Sequence, residues 1–228
     1  MCGKFTAMAT WAEVVAFSQP LTLNADQQEA DREVAYRVMT NLPVIVFDKE
    51  AGKRRVVPMR WGFPDPANWR RPQPIHARSE TIDKVPAFAD AFSRGQRGIV
   101  LMKTFNEAPD VEGPTVQHII TPGDEPALFG AFIWRQFRVE SSPDPIFCCV
   151  LCTVPANKLI GALPAKRMPA FLAAEDWGKW LGEEDVSLAE VKACLKTVEG
   201  VRWTMDKEER AQKAKRQKPT MSDPGGLF

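Results

Sequence analysis

Ile146-Phe147-Cys148-Cys149-Val150-Leu151-Cys152 is an unbroken apolar run of seven residues, and it reads as a strand buried on both faces. Cys149 and Cys152 stand at CxxC spacing, but a strand alternates its side chains and points the two thiols apart, so neither metal nor redox use is expected of them. Working outward from this run, Ala127 to Trp134, Val116 to Thr121 and Gly98 to Met102 carry similar apolar stretches. Earlier in the chain, Ala35 to Val38 and Val44 to Phe47 read as strands. Asp48 to Lys53, with Gly52, reads as a hairpin turn into a strand from Arg54 to Phe63. Pro64 to Pro74 is expected to be loop. A short strand around Ile75 to Ala77 then enters a helix from about Ile82 to Ser93, with Ser79 or Thr81 as its cap.

Helical periodicity marks Thr10 to Ser18 and, beyond Pro155, Asn157 to Gly161, Glu175 to Leu181 and Ser187 to Thr197. Gln27 to Arg32 is polar and reads as loop or a helical turn. Strands outnumber helices and are punctuated by turn residues. The expected class is therefore α+β, with a β-rich, barrel-like or strongly curved antiparallel core and peripheral helices. One domain over residues 1–204 is expected, followed by a charged tail, 205–228, without apolar periodicity and read as disordered.

The 228 residues include 44% hydrophobic and 26% charged side chains, an ordinary globular composition, with 30 basic against 29 acidic residues. Global charge therefore does not point to nucleic acid. Locally, Lys49 to Lys103 holds twelve Lys/Arg against five Asp/Glu, a surplus that can face phosphate. No apolar run reaches the length of a membrane span and the start lacks a signal-peptide pattern, so a cytoplasmic, membrane-free protein is expected. Five cysteines, an odd number without a small-domain disulfide pattern, suit a reducing compartment. There is no P-loop, dinucleotide fingerprint or internal repeat, and no cofactor is expected.

The chemistry concentrates at Met1-Cys2-Gly3-Lys4-Phe5. Removal of Met1 is expected because Cys is small, and it would leave Cys2 with an amine and a thiol two carbons apart. The amine ordinarily titrates near ~8 and the thiol near ~8.5. The thiolate is a nucleophile and the amine can form a Schiff base with an aldehyde. Gly3 permits close backbone approach, and Phe5 offers an apolar anchor. Trp61, close to Arg60, is a candidate for stacking on unpaired bases. Glu107, at the end of an apolar strand, reads as a loop carboxylate facing a cleft. His118, within an apolar strand, reads as structural.

Cys2-Gly3-Lys4-Phe5, Arg60-Trp61-Gly62-Phe63, Ala77-Arg78-Ser79-Glu80-Thr81, Phe105-Asn106-Glu107, Thr153-Val154-Pro155-Ala156-Asn157 and Arg167-Met168-Pro169 occur in this order. In this order they resemble the SOS response-associated peptidase (SRAP) family over roughly residues 2 to 181. The resemblance implies binding of single-stranded DNA that contains an abasic site, and a covalent thiazolidine between Cys2 and the opened sugar. It makes Glu107 the acid/base, Arg78 a phosphate grip, Lys4 a cation where the family usually has Arg, and Arg167 a basic position near the DNA. The chain also departs from the family: His76 stands where Asn is usual, Ala165 where His is usual, and Asn106 and Ala108 flank the Glu in place of Tyr and Trp. His76 is expected to replace the missing acid/base, since imidazole transfers protons at neutral pH. The family name carries an alternative, a thiol autopeptidase or peptidase using Cys2. The departures carry another, a non-catalytic single-stranded DNA-binding protein. A monomer is expected.

Overall fold

The computed structural model describes residues 2–7, 21–22, 34–65, 68–72, 74–108, 116–123, 127–138, 144–163 and 165–208. In chain order the first half contributes β1 (Lys4–Ala7), β2 (Leu21–Thr22), β3 (Val34–Arg37), β4 (Asn41–Asp48), β5 (Lys53–Trp61), β6 (Pro64–Asp65), β7 (Asn68–Pro72), β8 (His76–Arg78), α1 (Pro86–Ser93), β9 (Arg97–Met102) and β10 (Thr104–Glu107). The second half adds β11 (His118–Thr121), β12 (Leu128–Phe137), β13 (Ile146–Pro155), α2 (Lys158–Gly161), β14 (Arg167–Pro169), α3 (Trp177–Leu181), α4 (Leu188–Ala193) and β15 (Thr204–Lys207). The helix and loop expected at Thr10 to Ser18 and Gln27 to Arg32 lie outside the described residues, as does the tail from residue 209.

The apolar run from Ile146 to Cys152 is the keystone. β13 pairs antiparallel with β12, β12 with β9, β9 with β4, and β4 with β5. β5 returns to lie parallel to β13 at Cys148↔Arg60 and Cys149↔Trp61, which closes a five-stranded barrel. β13 also carries β14 and β8. The β-rich α+β core expected from the pattern is what forms. Within the five-strand ring the closure is the one pairing that is not antiparallel; outside it, β8 on β13 and β2 on β5 are also parallel. Gly98 is required where β9 meets β4, because a Cβ there would collide with Val44 Cγ1.

A second sheet runs β15-β11-β10-β1-β3, antiparallel throughout. Phe5 joins it to the barrel. Its fully buried ring packs 5.3 Å from Trp61 and 5.6 Å from Tyr36, and this anchors the N-terminal segment as expected. Trp61 lies in the core at 0% exposure, with its indole N–H donating to the Ile75 carbonyl at 3.2 Å. It cannot stack on a base from there, so its expected DNA role is corrected: an aromatic on an alternating strand was facing inward.

Three local expectations also change. Pro64 to Pro74 is not all loop: β6 and β7 pair as a small ribbon, at Pro64↔Pro72 and Asp65↔Asn68. α1 begins at Pro86 rather than Ile82, with extended Val85 before it and no side-chain cap, because proline is suited to the first helical turn. Residues 205–207, read as tail, complete β15, whose pairing with β11 extends the second sheet. Among the later helices, Asn157 caps α2, and Ser187 with Glu190 forms a capping box on α4.

Candidate active site around Cys2

Two strands bring two side chains to Cys2. The Phe5↔Phe105 register runs the residues before β1 alongside the end of β10, which delivers Glu107. β8, held parallel to β13 at Leu151↔His76, delivers His76. Cys2 is 2% exposed and Glu107 0%. The Cys2 backbone nitrogen donates to the Glu107 carboxylate, and the Ala108 N–H donates to Glu107 Oε1 at 3.2 Å. The Cys2 carbonyl accepts from His76 Nε2–H at 2.6 Å, and the thiol donates to the Lys4 carbonyl at 3.4 Å.

Burial dominates the electrostatics. It pushes the Cys2 thiol up to about 12, with the Glu107 charge adding to the effect. Burial also raises Glu107 above the usual carboxylate range, against the opposing pull of the N–H donors around it. His76 is lowered to about 4, again chiefly by burial, so near neutral pH it is an uncharged donor to the Cys2 carbonyl. This corrects the expectation that His76 titrates at neutral pH as the replacement acid/base: its ring holds the Cys2 backbone in place. Glu107 is no loop carboxylate. It is the last residue of a strand, buried against the Cys2 nitrogen, where a perturbed carboxyl can take and give protons.

The residues assigned to DNA are less uniform. Arg78 is exposed and its side chain makes no hydrogen bond or ion pair among the described residues, so its guanidinium is available. Arg167 is engaged. It forms a two-point pair with Glu80 at 2.7 and 2.9 Å, and donates to Thr153 Oγ1 at 3.1 Å and the Thr153 carbonyl at 2.5 Å. The Arg167 guanidinium in turn holds the Glu80 carboxyl down to about 2. Arg167 therefore ties β14, β13 and the turn after β8 together; it is not a free phosphate cation. Lys4 is ion-paired with Glu208, which also accepts from Asn106 Nδ2 at 3.3 Å. Glu208 went unnoticed in the sequence because it is one carboxylate in a charged stretch.

Among the described residues, several cations of the basic surplus between Lys49 and Lys103 are engaged or buried. Arg54 pairs with Glu183, Arg55 with Asp48 and Arg94 with Asp90, while Arg60 and Arg97 are buried. Ala165, in the place of the family's usual His, packs against the apolar core. His118 opposes Glu107 across the β10–β11 pair. Among the described residues no three His, Cys, Asp or Glu side chains are grouped to hold a metal ion, and no helix is long and apolar enough to cross a membrane.

A family profile described as SOS response associated peptidase (SRAP) matches residues 1–209. Among solved structures, a Bacteroides thetaiotaomicron protein superposes with TM-score 0.75 at 20% identity, covering 92% of this chain and 93% of its own. A Bordetella bronchiseptica protein follows at 0.72 and 17%, covering 91% and 100%. A phage-related protein from the same organism gives 0.67 and 17%, covering 92% and 95%. These likenesses concern the fold. No curated protein matches the chain.

Proposed function

Because the chain belongs to the SOS response associated peptidase family, we propose that it senses abasic sites in single-stranded DNA and cross-links to them through Cys2 once Met1 has been removed. Membership by itself supports an SOS-response-associated, peptidase-like role. The finer reading is carried by one observation: the Cys2 backbone nitrogen lies against the buried Glu107 carboxylate, while the thiol beside it is held protonated.

That arrangement favours the amine as first nucleophile. An abasic deoxyribose in its open form exposes an aldehyde at C1′. The free Cys2 amine adds to C1′, and loss of water leaves a C=N bond. The thiol then adds to the same carbon; its S–H proton passes to nitrogen and a five-membered thiazolidine closes. Glu107 accepts and returns protons as nitrogen and oxygen exchange them. His76 fixes the Cys2 carbonyl, and so the direction in which amine and thiol point. Arg78 is the exposed cation that fits a backbone phosphate.

The test is intact-mass and denaturing-gel analysis after mixing Met1-processed protein with a single-stranded oligonucleotide carrying one abasic site. A product of mass protein plus DNA minus water, absent with Cys2→Ala, is expected. Its absence with a free Cys2 amine and intact DNA binding would overturn the reading. The family's description also names a peptidase, and multiple turnover of a peptide without DNA would favour that alternative. A thiol pushed up to about 12 argues against it as an unaided first nucleophile.

A further inference from the structure

Glu107 is fully buried, so a proton it takes from the Cys2 amine needs a route out. At neutral pH an amine titrating near ~8 is mostly protonated and must lose a proton before it can attack. The chain has two histidines. His76 is occupied: burial holds it neutral and its Nε2–H is committed to the Cys2 carbonyl. The other is His118, directly opposite Glu107 in the antiparallel β10–β11 register. Opposed residues in such a pair project from the same sheet face with Cβ atoms roughly 5 Å apart.

His118 has the features of a group between interior and solvent. Its ring is only partly buried, yet Nδ1 is buried and has no hydrogen-bond partner among the described residues. A buried nitrogen left unsatisfied is uncommon and costs stability, so it calls for an explanation. On the far side, β15 places Lys207 opposite His118 at the exposed edge of the sheet. The groups facing His118 are thus Glu107 from β10, with the Cys2 thiol behind it, and Lys207 from β15.

We propose that His118 is a positioning residue that relays protons between Glu107 and solvent, an inference that rests on the cross-linking reading. The Cys2 ammonium gives a proton to the Glu107 carboxylate and becomes the free amine. The carboxylic acid passes its proton to His118 Nδ1, directly or through one water, and regains its charge. The imidazolium releases its Nε2 proton to water and returns to the neutral ring. One proton leaves the amine and one reaches solvent. His118 thereby supplies proton exchange on the Glu107 side of the pocket.

The experiment measures single-turnover cross-linking of the Met1-processed protein between pH 5.5 and 8.5, with wild type, His118→Gln and His118→Ala side by side. Both variants are expected to slow the reaction at least about tenfold near neutral pH and to lose the wild-type pH dependence. Free imidazole is expected to restore His118→Ala and not His118→Gln. In parallel, NMR at fixed pH follows the His118 ring nitrogens, whose Nδ1 resonance should move in Glu107→Gln as the carboxylate opposite it becomes an amide. Wild-type product together with an unchanged rate and pH profile in His118→Gln would overturn the relay and leave the cross-linking reading intact. No wild-type product would overturn the reading itself, and the relay with it. An Nδ1 resonance indifferent to Glu107→Gln would overturn the coupling whether or not product forms.

Discussion

Lys4 and Glu208, 204 positions apart in the chain, are ion-paired. Lys4 lies two residues from Cys2, and Glu208 directly follows β15, so the pair occupies with a carboxylate the cation nearest in sequence to Cys2. Glu208→Gln is expected to tighten binding of single-stranded DNA by roughly two- to fivefold, the range for a partly exposed ion pair, and Lys4→Ala to weaken it. Fluorescence anisotropy at fixed salt reads both. Equal affinity for wild type and Glu208→Gln would mean that the pair is structural only.

Arg78 and Arg167 should separate cleanly. Arg78→Ala is expected to leave the unfolding midpoint unchanged. It should lower single-strand affinity and reduce the salt slope of binding by about 0.7, one phosphate contact's worth. Arg167→Ala is expected to destabilise the fold by about 2 kcal/mol, because a guanidinium bonded to a carboxylate and two Thr153 oxygens is lost. In that variant the Glu80 carboxyl, now held down to about 2 by Arg167, should titrate near its ordinary ~4.3, as NMR would show.

The Cys2 thiol should resist alkylation in the folded protein. Raised to about 12, it has roughly a thousandth of the thiolate of a free cysteine at pH 8. Glu107→Gln removes a charge that raises it and should speed iodoacetamide labelling several-fold. Peptide mass analysis after timed quenching reports the site. Labelling at the rate of a free thiol would refute the buried geometry.

His76 gives the fold an acid sensitivity with a definite sign. Its folded value, about 4, lies below the ordinary ~6.5, so between these pH values the unfolded chain binds the extra proton. Stability should therefore fall as pH drops from about 6.5 to 4, by up to about 3 kcal/mol from this group. Urea unfolding at pH 7 and pH 4.5 measures the loss. His76→Gln should show a smaller loss over the same range, and an equal loss would remove His76 as its source.

Much of the barrel was legible because its strands are short apolar runs divided by turn residues: Ile146 to Thr153 and the Asp48 to Lys53 hairpin identify themselves locally. The parallel β5–β13 closure was not, since nothing in either strand encodes a partner more than eighty residues away. Cys2 and Glu107 were readable from chemistry and the family resemblance, and they meet in the structure. Trp61 and Arg167 misled because an aromatic or a guanidinium among basic residues reads the same at a surface or inside a network. Whether each is free depends on Phe5, Phe132, Glu80 and Thr153, all distant in sequence. Glu208 and the place of His118 needed the β15-β11-β10 register, which has no local signal.

β13 exchanges main-chain hydrogen bonds with four other strands, β12, β14, β5 and β8. Its amides cannot be released by the fraying of an edge, because both of its flanks are occupied. In deuterated solvent the protons of Cys148 to Val154 should be the last to exchange, on the timescale of global opening, while those of β3 and β15 at the rim of the second sheet are replaced first. The segment that holds His76 beside Cys2 is therefore bonded to the slowest-breathing part of the molecule, and the N-terminal segment rests on a support that moves only when the whole protein comes apart.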